Sequence, residues 1–123
     1  MYYIGIDLGT SACKLLLVDS GGAILNTVTR EYPLVFPRPG WAEQRPADWW
    51  QAVTDGVPAL LDGFDAAQVA AIGAGGQMHG LVALDAHGDV IRPAILWNDG
   101  RTAQEVDELN DQTGRGVLSA RTG

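Results

Sequence analysis

The stretch "YIGIDLGTSACK", residues 3–14, constrains the fold more than any other. An apolar run ends in an acid, Asp7, and a second apolar run opens at residue 12. Between them Gly9, Thr10 and Ser11 leave room only for a tight turn. Two apolar runs joined so closely read as an antiparallel hairpin. Residues 2–8 are apolar enough for a strand buried on both faces, and "ACKLLLV" at 12–18 is the second strand. "DSGG" at 19–22 supplies another hairpin turn, with glycines suited to positive φ. Residues 23–33 form a third strand, so the chain opens as a three-stranded meander.

Residues 34–45 hold two prolines and a glycine and read as an irregular loop. Pro46 suits the first position of a helix, and Asp48 suits its positive end. Trp49, Trp50, Val53, Val57, Leu60 and Leu61 recur at helical spacing, with both tryptophans as core aromatics. Pro58 lies inside that pattern and should kink or split the helix. Residues 68–77 read as a buried strand of small residues. Residues 81–97 read as strand, turn at "DAHGD", and strand, with His87 solvated in the turn. Residues 99–114 form a helix with Asp99 as N-cap and Gly114 as its stop. "RGVLSARTG" at the end reads as an unfinished connection. The order β-β-β-α-β-β-β-α gives an α/β layer on an antiparallel hairpin sheet, without the alternation of a dinucleotide fold.

The chain's 123 residues carry a net charge of −7, which argues against sequence-independent nucleic-acid binding. Cys13 is the only cysteine, so no internal disulfide is available. No apolar run approaches the ~18–20 residues of a membrane span, and "MYYIGIDLG" lacks the basic start of a secretion signal. These features point to a reducing, cytoplasmic setting without a membrane partner.

Phosphate-loop spacing is absent, and "GAGGQMHG" fails G-x-G-x-x-G because Met78 stands at the third glycine position. Asp7 is the more telling residue. A carboxylate at the end of an apolar strand must be solvated, paired or metal-bound. The adjoining turn offers closely spaced N–H groups and two hydroxyls, suited to a phosphate with Mg²⁺ held through water. Lys14, the chain's one lysine, would pair with Asp7 or that phosphate. The plainer reading makes Asp7 a turn cap and lets Lys14 reach outward to water. "GGQMHG" at 75–80 could receive a polyhydroxylated ligand through Gln77 and His79, or could be a turn with a satisfied histidine. "WNDGR" at 97–101 could stack Trp97 on a sugar and bond its hydroxyls through Asn98 and Asp99. Alternatively Trp97 is core and Asp99 a cap. Trp41 either anchors its loop or walls a pocket.

"IGIDLGTS" at 4–11, "GWAEQRPADWW" at 40–50, "GQMHG" at 76–80 and "ILWNDGR" at 95–101 resemble, in this order, the amino-terminal part of FGGY-class carbohydrate kinases. Within that class they are most similar to its xylulokinases. The first motif is broad, shared in outline by the actin, Hsp70 and sugar-kinase superfamily. The pairing of "GQMHG" with "WNDGR" is narrower. The resemblance implies an actin-like, ribonuclease H-like ATPase fold, with residues 1–123 as the first part of the amino-terminal domain. It implies ATP and Mg²⁺ as cofactors and D-xylulose as the sugar, with gluconate or ribulose as alternatives. Homodimerisation of a full-length protein is a further expectation. Asp7 then matches the acid needed for activity near Mg²⁺. Gly9, Thr10 and Ser11 match the first phosphate hairpin, and Lys14 a position often basic in relatives. Met78 and His79 match the substrate-contacting pair, and Trp97, Asn98 and Asp99 the sugar side. The proton-accepting aspartate is expected beyond residue 123, which would leave these residues alone inactive.

Overall fold

The computed structural model describes residues 1–122. Three strands form the opening meander: β1 (Tyr2–Leu8), β2 (Ala12–Asp19) and β3 (Ile24–Glu31). A two-residue strand, β4 (Glu43–Gln44), precedes helix α1 (Pro46–Leu60). A short 3₁₀ turn leads into β5 (Val69–Gly76), and β6 (Ala94–Ile95) precedes α2 (Ala103–Thr113) and α3 (Arg115–Thr122). The main sheet runs β3-β2-β1-β5, and β4 pairs with β6 in a separate ladder. The meander is antiparallel as expected, whereas β5 joins β1 in parallel. The sheet is therefore mixed, because α1 carries the chain back to the starting end before β5 begins.

Strand alternation gives the sheet two unlike faces. Ile4, Cys13, Leu15 and Leu17 point to one face, where Ala52 and Leu60 of α1 complete the core with Tyr32. Asp7, Lys14 and Gly5 point to the other, which α1 does not cover. β1 is thus buried on one face, not both. Gly56 is what lets α1 lie close: a Cβ there would stand 2.6 Å from Leu15 Cδ1. Full burial of a leucine contributes roughly 1.5–3 kcal/mol, and Leu15 is 0% exposed.

Several expectations change. Pro58 does not break α1, which runs unbroken to Leu60. It sits in the last turn on the exposed side, where one missing hydrogen bond is easily accommodated. Trp49 packs against the core, but Trp50 is 69% exposed. β5 is exposed rather than buried, because α1 lies over β2 and β3 and stops short of it. The strands expected within 81–97 shrink to β6 and bridges at Leu81–Ile95 and Leu84–Val90, around the turn that holds exposed His87. The N-cap of α2 is Thr102, not Asp99, and residues 115–122 are helix rather than open connection. Gly114 does end α2, at φ 86° with its N–H donating to Asn110 O. Among the described residues no helix is long and apolar enough to cross a membrane.

Replacing Gly56 with valine forces the helix off Leu15. We expect Gly56→Val to cost about 1–3 kcal/mol, read as a lower urea midpoint at unchanged slope. An unchanged midpoint would show that the close approach is not needed.

Candidate functional site

The uncovered sheet face carries a groove of about 470 Å³, lined by Gly5, Asp7, Lys14, Leu16, Gly73 and Gly75 among others. Asp7 faces Lys14 across the β1–β2 ladder and Gly75 across the β1–β5 ladder. Added Cβ atoms at Gly73 and Gly75 would meet nothing within 4 Å, so side chains there would fill space that is now open beside Asp7. Asp7 and Lys14 are both exposed. The ion pairs among the described residues all lie elsewhere, so Lys14 is not engaged by Asp7. A cation and an anion facing open space suit a ligand with both a metal and phosphates. Among the described residues no three acids, histidines or cysteines cluster into a metal cage. One carboxylate is nevertheless enough for Mg²⁺, which keeps most of its waters.

The turn after Asp7 is held from behind. The Gly9 N–H donates to Ala12 O at 3.0 Å, which closes the hairpin. Gly9 is therefore a structural member of the turn, and a Cβ there would crowd Ala12 O at 3.1 Å. The amides of Thr10 and Ser11 play no part in that closure. The Tyr32 hydroxyl donates to Gly9 O, and the Tyr32 N–H donates to Ser11 O. Burial, then the nearby Cys13 and Asp7, push the Tyr32 hydroxyl up to about 12. Burial, then Asp7, raises the Cys13 thiol as well.

Two further motifs arrive at this turn. Trp97, 52% exposed, donates its indole N–H to Thr10 Oγ1 at 3.3 Å. The loop after β5 is fixed at both ends: Gln77 N–H donates to Leu8 O at 2.7 Å, and Leu81 N–H to Ile95 O at 3.3 Å. Met78 and His79 sit exposed between those anchors, and Asn98 is exposed beside Trp97. His79 is the one non-glycine residue with positive φ, 60°, among the described residues. Backbone held in that region is strained, and such residues gather at ligand sites.

The sequence profile of the FGGY family of carbohydrate kinases, N-terminal domain, matches residues 2–123. The chain belongs to this family. It is 50% identical over 103 residues to a xylulose kinase of Escherichia coli, covering 84% of this chain and 21% of that one. The solved xylulose kinase of Rhodospirillum rubrum superposes with TM-score 0.91 at 31% identity, covering 96% of this chain and 25% of that one. A gluconate kinase from Lactobacillus acidophilus gives TM-score 0.87 at 31% identity, covering 92% and 23%. The fold is accordingly the actin-like ATPase fold of these kinases. The chain spans about a quarter or less of the length of these relatives.

What supports the site in this FGGY domain was not legible from residue types alone. Asp99 is not open to solvent: its side chain is 3% exposed. Its Oδ2 accepts from Ala42 N at 2.6 Å and Arg101 Nη2 at 2.7 Å, and its Oδ1 from Arg101 N at 2.9 Å and Nε at 2.8 Å. Four donors fill a carboxylate's capacity. The expected bond from Asp99 to a sugar hydroxyl is therefore corrected, because Asp99 holds the Trp97 loop instead. Arg101 also pairs with Glu43 at 2.8 Å, and its guanidinium lies 3.8 Å over the Trp41 ring. Trp41 anchors its loop. Tyr32, Glu43, Gln44 and Arg101 were all missed. The one available signal was that "GWAEQ" and "WNDGR" are both dense in groups that need partners.

Hydrogen bonds from Arg101 hold the Asp99 carboxyl well below the usual carboxylate range; burial opposes them, and the Ala42 and Arg101 amides add to them. A lowered folded value stabilises the fold fully above the unfolded value of about 4. That contribution is lost as pH falls toward the folded value. Asp99→Asn should thus lower the urea midpoint at pH 7, and its gap from wild type should narrow below about pH 4. A gap that stays constant with pH would refute the charged-pair account. Tyr32 has the opposite sign: its raised value stabilises below pH ~10, and the contribution is lost as pH climbs toward 12. Tyr32→Phe should lose roughly 1 kcal/mol at neutral pH and remove one late tyrosinate step from the ultraviolet titration.

Proposed function

We propose that this chain is the substrate-gathering part of an ATP-dependent xylulokinase, whose full-length form converts D-xylulose and ATP to D-xylulose 5-phosphate and ADP. One observation carries the reading. The Trp97 indole bonds the Thr10 hydroxyl across 87 residues of chain, so the phosphate turn and the sugar-side aromatic are neighbours. Transfer between two bound substrates requires that adjacency. Likeness to xylulose kinases favours xylulose as the acceptor.

Asp7 would hold Mg²⁺ through water, and the Thr10 and Ser11 amides with Lys14 would orient the γ-phosphate. Mg²⁺, when bound, neutralises charge on the phosphates. Met78, His79, Trp97 and Asn98 would bound the sugar, with Asp99 fixing the loop that carries two of them. The sugar O5 attacks the γ-phosphorus, the bond to the β–γ bridging oxygen breaks, and ADP leaves. The O5 proton must go to a base. Membership of the FGGY kinases supports an aspartate outside these residues as that base, with Asp7 left to the metal. Closure of the remaining protein over the groove would limit loss of ATP to water. Assembly of the full-length protein as a homodimer in the cytoplasm belongs to the same proposal.

The likeness to a gluconate kinase supports a second reading, a kinase of the same family acting on a sugar acid or another ketose such as ribulose. Coupled ADP release by the full-length protein over xylulose, ribulose and gluconate separates the two: preference for anything but xylulose excludes the narrower claim. Asp7→Asn in that protein should lower turnover on the order of 10²-fold, and near-normal turnover at saturating Mg²⁺ would exclude the role given to Asp7. The 123 residues alone should show no sugar-dependent ATP consumption. They should also self-associate on dilution series by light scattering, since β5 is an edge strand and its Ile72 is 59% exposed.

A further inference from the structure

Gln44 is 1% exposed and is the one buried polar residue among the described residues. Its Nε2 donates to Thr10 O at 2.6 Å and Pro33 O at 3.2 Å. Its Oε1 accepts from Trp49 Nε1 at 3.0 Å and Gln77 Nε2 at 2.9 Å. Both donors and both lone pairs of the amide are therefore filled. The four partners belong to the turn after β1, the segment after β3, helix α1 and the loop after β5. A carbon side chain would fill the same volume, so packing alone does not call for an amide.

We propose that Gln44 is a positioning residue for phosphoryl transfer, setting the turn at Thr10 against the substrate loop that begins at Gln77. The inference rests on the kinase reading of that turn and loop. Thr10 is held at two points, its carbonyl by Gln44 and its hydroxyl by Trp97. Gln77 is held at its backbone by Leu8 and at its side chain by Gln44. The Gln77 Oε1 is buried without a partner, so the Gln44 bond is its one side-chain tether. One amide thus joins both substrate-bearing segments through hydrogen bonds in a dry site, where each bond is strong and its loss costly. Glutamate at this position has the same shape but turns two donors into acceptors facing two carbonyls. A shift of about 1 Å between reacting groups costs on the order of 10²-fold in rate.

Two measurements decide the matter. Hydrogen exchange on the full-length protein compares wild type with Gln44→Glu and Gln44→Met. We expect the Tyr32 and Gln77 amides, which clasp the turn and the loop, to exchange at least roughly tenfold faster together, while Leu15 and Leu17 in the core keep wild-type rates. Acceleration of only one segment, of neither, or of the core to the same degree overturns the proposal. In the full-length kinase, kcat for Gln44→Glu should drop on the order of 10²-fold at little-changed KM for sugar, and should recover partly as pH falls and the carboxyl regains a donor. Retained kcat with raised KM overturns it as well. Absence of sugar phosphorylation by the wild type would remove the kinase reading, and the exchange result would still decide whether Gln44 couples the two segments.

Discussion

The Asp99 carboxylate is the contact on which the functional end of the molecule depends. The segments from 32 to 45 and from 77 to 101 flank the turn at Thr10, yet their one regular ladder is two residues long. Asp99 holds them by accepting from Ala42 in one and Arg101 in the other. Arg101 extends the link to Glu43 and covers Trp41. Removing one member of so enclosed a cluster leaves the remaining charges without partners, which is more damaging than loss of the pair together. Leu96 donates to Ala42 O and Gly100 to Gly40 O, so main-chain bonds join the same two segments beside this cluster. Trp97 lies inside that span, so its approach to Thr10 follows from ion pairing several residues away.

The sheet and helix provide the other half of the arrangement. Gly56 brings α1 down on Leu15, and the resulting core fixes β1 and β2, whose joint turn bears Thr10 and Ser11. The opposite face stays open because α1 covers one side only and because Gly73 and Gly75 add no bulk. A rigid frame on one face and an unfilled groove on the other are two results of one strand alternation.

The meander, the start of α1 at Pro46 and the stop at Gly114 were legible because each rests on local chemistry: alternation, fixed φ, and freedom at positive φ. Asp7, His79 and Trp97 stood out as polar or aromatic groups that require partners, which is what made them candidates. What escaped was long-range. Nothing near Gln44 in sequence announces that Thr10 and Gln77 will be its partners, since they lie 34 and 33 residues away. Asp99 was misread because an acid before a helix is a good cap, and the half-buried Arg101 claims its carboxylate instead. β5 was misread as buried because small apolar residues look the same whether or not anything packs on them.

His79 has one consequence beyond its placement. At φ 60° its backbone occupies a region that glycine enters freely, asparagine, aspartate and histidine tolerate, and β-branched residues avoid. The loop therefore admits a short alphabet at that position, whatever ligand it meets. Replacements that keep this main-chain path are confined to glycine, asparagine and aspartate. Bulky apolar replacements would have to remodel the main chain first, a restriction that does not apply at Met78 or Asn98, whose φ is not positive.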